Sequence, residues 1–466
     1  AGMVVLAKPL WTCLYKHMQF SVIILAAGQG KRLKSAIPKP LHLLGGRPLL
    51  SWVTGAAKSA GTRQTLIVTP ADTALFSAHI PEDSQHFIQD PPQGTGHAAA
   101  CTIDALSKLP AEQPVIVLYA DTPLIQPDTI RQLADQLGQN GSDLCCLAFE
   151  AENPAGYGRM VTDGDSVHAI IEERDASTEE KAITLVNSGV MGAKAGLLCQ
   201  LLPRLEKANA QGEYYLTDLV AMAHQAGMHT TYLPIAQEEV AGINDRLQLA
   251  EMEAVIQTRL RQKAMLGGVT LIDPETIYLS FDTEFGQDII IEPHVVIGRN
   301  AKIGDNCQIK SFSHIEGAVI ETGCIIGPHA RLRPGTILET GVKIGNFVET
   351  KNAHFEAGAK ANHLSYIGDA HIGTKANIGA GTITCNYDGF NKFKTEIGAY
   401  AFIGSNSALV APVQIADYAL IGAGSVITRQ VEAGALSLTR AEQKTYPEGA
   451  ERFREKAQKL KDSKTS

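Results

Sequence analysis

The 466-residue sequence lacks several features that mark common functional classes. Its net charge is −8, so no basic field would attract nucleic-acid phosphates, and we expect no nucleic-acid partner. The absence of any run of about 18 apolar residues disfavours stable membrane insertion. The eight cysteines form neither a CxxC pair nor a His/Cys cluster with zinc spacing. Scattered thiols of this kind indicate a reducing, cytoplasmic environment.

The chain length indicates two or three domains. Residues 1–17 contain an apolar stretch without a basic start or a clean cleavage site, which disfavours a signal peptide. We expect these residues to be an N-terminal extension, with Met18 as the functional start. The patterns described below divide the remainder into residues 18–246, 247–267, 268–440 and 441–466.

An aliphatic residue recurs at every sixth position in the C-terminal half. The recurring residues are Ile297, Ile303, Ile309 and Ile315, then Ile326, Leu332, Leu338 and Ile344, then Ile397, Ile403, Leu409, Ile415, Ile421 and Ile427. A helix face would need a period of 3.6 and an ordinary strand a period of 2, whereas a sustained period of six is typical of a hexapeptide β-helix. Each hexad would form one strand and a turn, with Gly or Asn at the turn, and three hexads would form one coil of a triangular prism. The pattern predicts a left-handed parallel β-helix over residues 268–440.

The N-terminal half begins with a buried strand and a loop of small residues. Residues 20–25 form a continuous apolar run, and the sequence AAGQGKR follows it directly. Small residues let backbone N–H groups approach a phosphate, and Lys39 follows shortly after. Further apolar runs at 65–69, 114–119 and 144–149 alternate with helical stretches, which predicts a Rossmann-like parallel sheet. The loop does not match GxGxxG, so we expect neither a nicotinamide nor a flavin cofactor.

An aspartate stands at the carboxyl end of the strand predicted over residues 114–119. Asp121 is a hard oxygen donor on a rigid element, which suits Mg²⁺, although an aspartate here could also simply cap the following turn. Residues 247–267 are rich in helix formers with apolar residues at helical spacing, which predicts a linker helix and a domain boundary near Gly267. Residues 441–466 are charged and helical by propensity, and we expect them to lie on the surface.

The hexad rhythm breaks between Ile378 and Ile397. Residues 384–395 are too many for a coil corner, and excursions from a solenoid usually carry function. Polar groups separated by roughly one coil lie nearby in the sequence, so we expect them to stack on one side of the prism. These groups are Arg331, Arg333, Glu349, Lys351, His363, Tyr366 and Asn377. A histidine on a solenoid turn, taken alone, is more often a solvated polar residue than a catalyst.

Several motifs carry a more specific resemblance. The segments LAAGQGKR, IPKP, QGTGHA, YADTPL, GYGR, IIEERDA, NSG, NAQGEYYLTD and AGINDR occur in this order, and KANHLSYIGDA follows. Over roughly residues 20–445 the chain resembles the bacterial bifunctional enzymes that join an N-acetylglucosamine-1-phosphate uridylyltransferase to a glucosamine-1-phosphate N-acetyltransferase. The resemblance implies the substrates UTP, N-acetylglucosamine-1-phosphate and glucosamine-1-phosphate, with Mg²⁺ as cofactor and acetyl-CoA as co-substrate. It also implies a homotrimer with active sites between neighbouring prisms.

The resemblance assigns roles to residues of the first domain. The nucleotide site would be lined by Leu25, Ala26, Ala27, Gly28, Lys39, Gln89, Gly94, Thr95, Tyr119, Ala120 and Asp121. Gly158, Glu172 and Asn187 would recognise N-acetylglucosamine, Asp121 and Asn244 would hold Mg²⁺, and Arg32 and Lys39 would neutralise phosphate charge. The chain departs from the family at Lys31, Ala120 and Ala241, where Thr or Ser, Gly and Glu are common. Neither Lys31 nor Ala120 removes a ligand atom, so we expect altered affinity rather than lost activity from these two departures.

For the second domain the resemblance implies that His363 is the general base and that Glu349 orients or polarises it. Arg333 and Lys351 would bind the sugar phosphate, and Tyr366 and Asn377 the sugar. The acetyl-CoA groove would be formed by Ala380, Asn386, Tyr387, Ser405, Ala423 and Arg440. Two other interpretations remain: a nucleotidyltransferase of single activity with a structural β-helix, and a non-catalytic protein of the same architecture.

Overall fold

The computed structural model describes residues 19–28, 30–72 and 74–465. The predicted N-terminal extension, residues 1–17, lies outside the described residues. The chain divides after Thr258 into two compact units, each described separately below. Within the described residues, no helix is long and apolar enough to cross a membrane.

The described part of the first unit contains a nine-stranded sheet and a small two-stranded sheet, with helices between the strands. Its strands are β1 (Ser21–Leu25), β2 (Leu43–Leu44), β3 (Arg47–Pro48), β4 (Gln64–Pro70), β5 (Gln85–Gln89), β6 (Pro114–Tyr119), β7 (Leu144–Glu150), β8 (Gly158–Asp163), β9 (Ser166–Ile171), β10 (Leu185–Lys194) and β11 (Thr230–Pro234). Its helices are α1 (Leu49–Ala60), α2 (Thr95–Ala100), α3 (Ile103–Leu106), α4 (Pro127–Gly138), α5 (Thr178–Lys181), α6 (Ala195–Leu201), α7 (Asp218–Gln225) and α8 (Gln237–Val240).

The sheet order is β5-β4-β1-β6-β10-β7-β11-β9-β8. Strands β5, β4, β1 and β6 are parallel, as predicted, and all five residues of β1 are buried. The prediction of a parallel sheet is incomplete, because β10 is inserted antiparallel between β6 and β7. The residues of β10 mix polar and small side chains with apolar ones, so their sequence does not read as a buried run. Because β1 pairs in parallel with β4 and β6, the loops that follow these strands emerge at one edge of the sheet.

Helix α9 (Arg246–Leu266) is the predicted linker helix. The two compact units meet inside it, after Thr258, whereas the sequence placed the boundary near Gly267. The last turns of the helix pack with the second unit: Ala264 belongs to its hydrophobic core and Leu260 lies against that core. The helical pattern continues through residue 258 without interruption, so it cannot show where the packing changes.

The second unit is a prism built from short strands in parallel sheets. Its strands are β12 (Val269–Leu271), β13 (Tyr278–Leu279), β14 (Glu284–Phe285), β15 (Ile289–Ile291), β16 (Val296–Ile297), β17 (Lys302–Ile303), β18 (Gln308–Ile309), β19 (His314–Ile315), β20 (Ala318–Ile320), β21 (Ile325–Ile326), β22 (Arg331–Leu332), β23 (Thr336–Leu338), β24 (Lys343–Asn346), β25 (Glu349–Phe355), β26 (Lys360–His363), β27 (Tyr366–Ile372), β28 (Asn377–Ile378), β29 (Ile383–Cys385), β30 (Thr395–Ile397), β31 (Phe402–Ile403), β32 (Ala408–Val410), β33 (Val413–Ile415), β34 (Leu420–Ile421), β35 (Val426–Ile427) and β36 (Leu436–Ser437). Each strand pairs in parallel with its counterpart in the next coil, as Ile397 does with Ile415. The chain ends in the predicted tail helix, α10 (Gly449–Thr465).

The hexad prediction is confirmed by burial. All fourteen predicted aliphatic positions are at most 2 % exposed, so these side chains fill the interior of the prism. The turns between strands follow the prediction of Gly or Asn at some corners, such as Asn306 and Gly424, which adopt positive φ. Phe312 and Phe347 also adopt positive φ, and the rings of both stack on His329 at centroid distances of 4.8 and 5.0 Å. Ring stacking between successive coils offsets part of the backbone strain at these corners.

The interior of the prism should dominate its stability. We expect Ile291→Ala to destabilise the second unit by about 2–5 kcal/mol, because Ile291 is fully buried and its truncation leaves a cavity. The matched control is Ile290→Ala on the same strand, whose side chain is 40 % exposed and should cost much less. Denaturant unfolding of the two variants measures the difference. Equal losses would contradict the assignment of inward and outward positions.

Candidate active sites

A cavity of about 670 Å³ lies at the carboxyl ends of β1 and β6. All eleven residues predicted to line a nucleotide site line it, together with Asn244, Arg32 and Lys31. The sequence did not single out the remaining lining residues, which are Gly30, Pro40, Pro92, Ala98 and Glu213. Leu25 and Tyr119 are register partners, so the loops after these two strands begin side by side.

A glycine loop forms one wall of the cavity by close contact with another segment. The amide of Tyr214 donates to the carbonyl of Gln93, and the amide of Gly96 donates to the carbonyl of Tyr214, at 2.9 and 2.8 Å. Gly94 has φ 103°, and a Cβ added to it would lie 2.6 Å from the carbonyl oxygen of Tyr214. Only glycine therefore fits between these two backbones. Gln89 fixes the loop further by donating to the carbonyl of Gly94 at 2.9 Å.

The side-chain oxygens of Asp121 and Asn244, which are predicted to hold a metal ion, both contact the ammonium group of Lys39. The Lys39 ammonium forms an ion pair with Asp121 and donates to Oδ1 of Asn244 at 3.0 Å. Lys39 is buried, and the Asp121 side chain serves this pair rather than capping the turn that follows it. Among the described residues no cluster of three or more His, Cys, Asp or Glu side chains could hold a metal ion. A site with two protein oxygens suits a cation that keeps water and phosphate ligands, such as Mg²⁺.

The three residues expected to recognise a sugar lie together, although they do not line the cavity. Gly158 and Asn187 are register partners on β8 and β10, and a Cβ on Gly158 would lie 3.5 Å from Oε1 of Glu172. The hydroxyl of Thr217 donates to the same Glu172 oxygen at 3.1 Å, and burial raises the pKa of this carboxyl group. Oδ1 of Asn187 is buried without a hydrogen-bond partner. An unpaired buried acceptor is costly, so this atom is suited to a ligand donor.

A buried arginine holds the hairpin that carries these groups. Arg159 is 1 % exposed, and its Nη2 lies 2.6 Å from Oε2 of Glu173. Its guanidinium also donates to the carbonyl of Tyr157, so it ties the residues beside Gly158 and Glu172 to each other. This arginine belongs to the GYGR motif, which by itself predicts no role for it. Most arginines are exposed, and nothing in the local pattern marks this one as buried.

On the prism, His363 ends strand β26 and lies opposite Asn346 on β24. Its Nδ1 is 2.8 Å from Oδ1 of Asn346. No hydrogen bond joins the described side chains of Glu349 and His363, because Oε1 of Glu349 instead lies 2.8 Å from Nη1 of Arg333. A polarising effect of Glu349 on the imidazole stays a prediction. Glu349 begins the strand after the corner, where its backbone is in register with Arg331. Its side chain therefore reaches Arg333, two residues further along, rather than the imidazole.

Three cations, Arg333, Lys351 and Lys392, lie near one another on the adjoining face of the prism. The pKa of Lys351 is lowered, chiefly by the neighbouring ammonium group of Lys392 and further by Arg333. Asp369 opposes this effect. Like charges held this close favour an anionic ligand such as a phosphate. The broken hexad rhythm predicts that the loop of residues 384–395 has a functional role. It does not single out Lys392, because the pattern cannot show which loop side chain points back to the prism.

Asp369 anchors the base of that loop. Its two oxygens accept from the side-chain amides of Asn352 and Asn386, at 2.7 and 2.5 Å. Farther along the loop, Tyr387 and Phe390 are 60 % and 92 % exposed. The loop is therefore held firmly at one end and presents aromatic side chains to solvent at the other.

Four of the six residues predicted to line an acetyl-CoA groove, namely Ala380, Ser405, Ala423 and Arg440, lie in a column along one corner of the prism, whereas Asn386 and Tyr387 lie in the loop of residues 384–395. The amide of Gly381 donates to the carbonyl of His363, and the amide of Asn406 donates to the carbonyl of Ala380. The column continues where the amide of Gly424 donates to Ser405 and the Arg440 guanidinium donates to the carbonyl of Ala423. His363 stands at the same corner, one coil before Ala380.

The sequence predicted that the polar groups stack on one side of the prism. In the structure they do not all do so. Arg331, Lys351 and Tyr366 belong to one sheet, whereas Asn377 and His363 belong to the adjoining sheet. The chain turns at Leu364, which has φ 48°, so His363 and Tyr366 lie on opposite sides of a corner. A spacing of one coil predicts the height of a side chain along the prism but not its face.

A glycine-rich loop at the edge of a mixed sheet, followed by a hexapeptide prism with its own polar site, defines a two-domain transferase. Residues 22–226 match the family of MobA-like NTP transferase domains, and residues 394–429 match the bacterial transferase hexapeptide family. These matches confirm the predicted fold class, an α/β nucleotidyltransferase domain followed by a left-handed parallel β-helix.

Full-length relatives identify the family. The chain is 51 % identical over 425 residues to the bifunctional protein GlmU of Azorhizobium caulinodans, covering 91 % of this chain and 94 % of that protein. It is 51 % identical over 436 residues to the same-named protein of Xanthobacter autotrophicus, covering 93 % and 97 %. For the Zymomonas mobilis protein the identity is 47 % over 450 residues, covering 95 % and 99 %. The chain belongs to the GlmU family.

The contact at Gly94 can be tested directly. We expect Gly94→Ala to weaken nucleoside triphosphate binding by about tenfold or more, because the added methyl forces the two wall segments of the cavity apart. The control is Gly61→Ala: Gly61 has φ 88°, but an added Cβ there meets nothing within 4 Å. The Gly61→Ala variant should lose only about 1–2 kcal/mol of folding stability, from the strained backbone conformation, and should bind the nucleoside triphosphate normally. Titration calorimetry measures both, and equal affinities would contradict the close-contact explanation.

Proposed function

We propose that the prism acetylates glucosamine-1-phosphate with acetyl-CoA, and that the first unit transfers UMP from UTP to N-acetylglucosamine-1-phosphate. The observation that carries this proposal is the presence of two separate polar sites in one chain. The nucleotide cavity has its own cation and oxygen donors, and the prism has a histidine and a cluster of three cations. The relatives are named bifunctional, which supports the same conclusion.

The two alternatives explain less. A prism that served only as a scaffold would not need to hold Arg333, Lys351 and Lys392 close together against their mutual repulsion. A non-catalytic protein would not need Lys39, Asp121 and Asn244 to converge in the cavity.

In the first unit, an oxygen of the sugar phosphate attacks the α-phosphorus of UTP, and the bond to the leaving pyrophosphate breaks. No protein nucleophile is needed, so the residues act by position and charge. Asp121 and Asn244 would hold Mg²⁺, which would neutralise phosphate charge when bound. Lys39 and Arg32 line the same cavity and contribute positive charge to the α-phosphate and pyrophosphate.

The sugar would lie against Gly158, Glu172 and Asn187. The unpaired Oδ1 of Asn187 accepts a hydrogen bond from a sugar donor, which removes the cost of leaving this atom buried and unsatisfied. Glu172 is already held by Thr217, so its second oxygen is available to a hydroxyl group. The ion pair between Arg159 and Glu173 keeps this hairpin in place.

In the prism, His363 takes a proton from the 2-amino group of glucosamine-1-phosphate as the nitrogen attacks the thioester carbon. The C–S bond then breaks and CoA leaves as a thiolate. A general base of this kind contributes about 10²–10⁴-fold to the rate. Arg333, Lys351 and Lys392 hold the phosphate, and Tyr366 and Asn377 hold the sugar. The corner from Ala380 to Arg440 binds the acetyl-CoA, and Asn386 and Tyr387 reach towards it from the loop.

The active form is proposed to be a homotrimer in the cytoplasm. The polar groups of the prism lie on two faces around a corner, so a neighbouring prism that covers the corner would close the site. The loop of residues 384–395 exposes Tyr387 and Phe390, which are suited to contact such a neighbour.

The seven described cysteines are free, which is consistent with a reducing compartment.

Substitution of His363 tests the two-site proposal. We expect His363→Ala to lower acetyl transfer by about 10²-fold or more, because the amine loses its base. Formation of UDP-N-acetylglucosamine from N-acetylglucosamine-1-phosphate and UTP should be unchanged. Each half-reaction is assayed separately on the same preparation. Loss of both activities in a folded variant would overturn the assignment.

The reciprocal variant is Asp121→Ala. It should lose the Mg²⁺-dependent uridylyl transfer and keep acetyl transfer, because Asp121 supplies the carboxylate of the predicted metal site. Retention of uridylyl transfer would remove Asp121 from that site.

A further inference from the structure

We propose that Asn346 is a positioning residue for acetyl transfer, which holds the imidazole of His363 in the one tautomer that can accept a proton from the substrate. The inference rests on the proposed role of His363 as the general base. It starts from the distance of 2.8 Å between Nδ1 of His363 and Oδ1 of Asn346.

This contact sets the position of the ring proton. A carboxamide oxygen can only accept a hydrogen bond, so Nδ1 of His363 must carry the hydrogen. A neutral imidazole has a single N–H, and Nε2 is therefore left with its lone pair free. Nε2 is thus the atom that takes the proton from the attacking amine, and the opposite tautomer would present an N–H to the amine instead.

Packing within the chain does not replace this contact. His363 is exposed in the single chain, so side chains of its own prism do not enclose the ring. The hydroxyl of Ser365 donates to the carbonyl of His363 at 2.9 Å, which holds the backbone but not the imidazole. Glu349 is paired with Arg333. Among the described residues, Asn346 is the one whose side chain hydrogen-bonds to the ring.

The scaffold holds the two residues in a fixed relation. Asn346 and His363 are register partners on adjacent coils, and the amide of Leu364 donates to the carbonyl of Asn346 at 3.0 Å. The carboxamide is therefore placed by a strand ladder rather than by a loop. A carboxamide also suits a base better than a carboxylate would, because a carboxylate favours the protonated imidazole, which cannot accept a proton.

The test uses acetyl transfer by the full-length chain. We expect Asn346→Ala to lower kcat about tenfold while the KM values for glucosamine-1-phosphate and acetyl-CoA stay within about twofold, because the ring loses its orientation and not its substrates. Asn346→Asp keeps an acceptor at the same place, so at about pH 8.5 it should restore most of kcat. This rescue separates positioning from a purely structural role.

Each other outcome overturns the inference. Unchanged kcat in Asn346→Ala would show that the contact does not matter for the reaction. Failure of Asn346→Asp to improve on Asn346→Ala would show that the Asn346 amide donates to Nδ1, which requires the opposite tautomer. Raised KM values with unchanged kcat would assign Asn346 to substrate binding.

Two controls keep this test separate from that of the proposed function. Gln308→Ala removes another outward carboxamide from the same sheet and should leave acetyl transfer unchanged. Uridylyl transfer, measured on every variant, should stay at the wild-type rate and reports correct folding of the first unit. If His363→Ala keeps acetyl transfer, the proposed base is wrong. If that variant is inactive while Asn346→Ala is fully active, only the role of Asn346 fails.

Discussion

The in-register stacking of successive coils is the constraint on which the prism and its chemistry depend. Buried aliphatic residues lie over their counterparts in the next coil, as Ile326 does with Ile344, and neighbouring strands are about 4.8 Å apart. Outward side chains inherit the same spacing, which brings Asn346 to His363. Hydrophobic burial therefore also positions the polar groups. A polar site on this scaffold needs no separate framework.

The first unit solves a comparable problem with a different scaffold. The parallel pairing of β1 with β6 places the loop after Leu25 beside Asp121, although these residues are far apart in sequence. Lys39 then reaches Asp121 and Asn244, which come from distant segments. In both units a rigid sheet ends at a turn, and the turn presents the groups that carry charge or accept hydrogen bonds.

Much of this could be predicted from the sequence, and the omissions share a physical cause. The period of six and the apolar runs predicted the prism and the core of the sheet, because burial imposes a repeating pattern. The partner of His363, the return of Lys392 from its loop and the burial of Arg159 have no such pattern, since they depend on where a side chain points after a corner or hairpin. The antiparallel β10 was missed because its residues do not form an apolar run.

The central claim is that one chain carries two independent catalytic sites, and a single assay tests it most directly. The purified chain is given glucosamine-1-phosphate with UTP and Mg²⁺, with or without acetyl-CoA, and UDP-N-acetylglucosamine is measured. The account predicts product only when acetyl-CoA is present, whereas N-acetylglucosamine-1-phosphate and UTP should give product without it. Product from N-acetylglucosamine-1-phosphate but none from glucosamine-1-phosphate with acetyl-CoA would contradict the account and leave the prism as a scaffold.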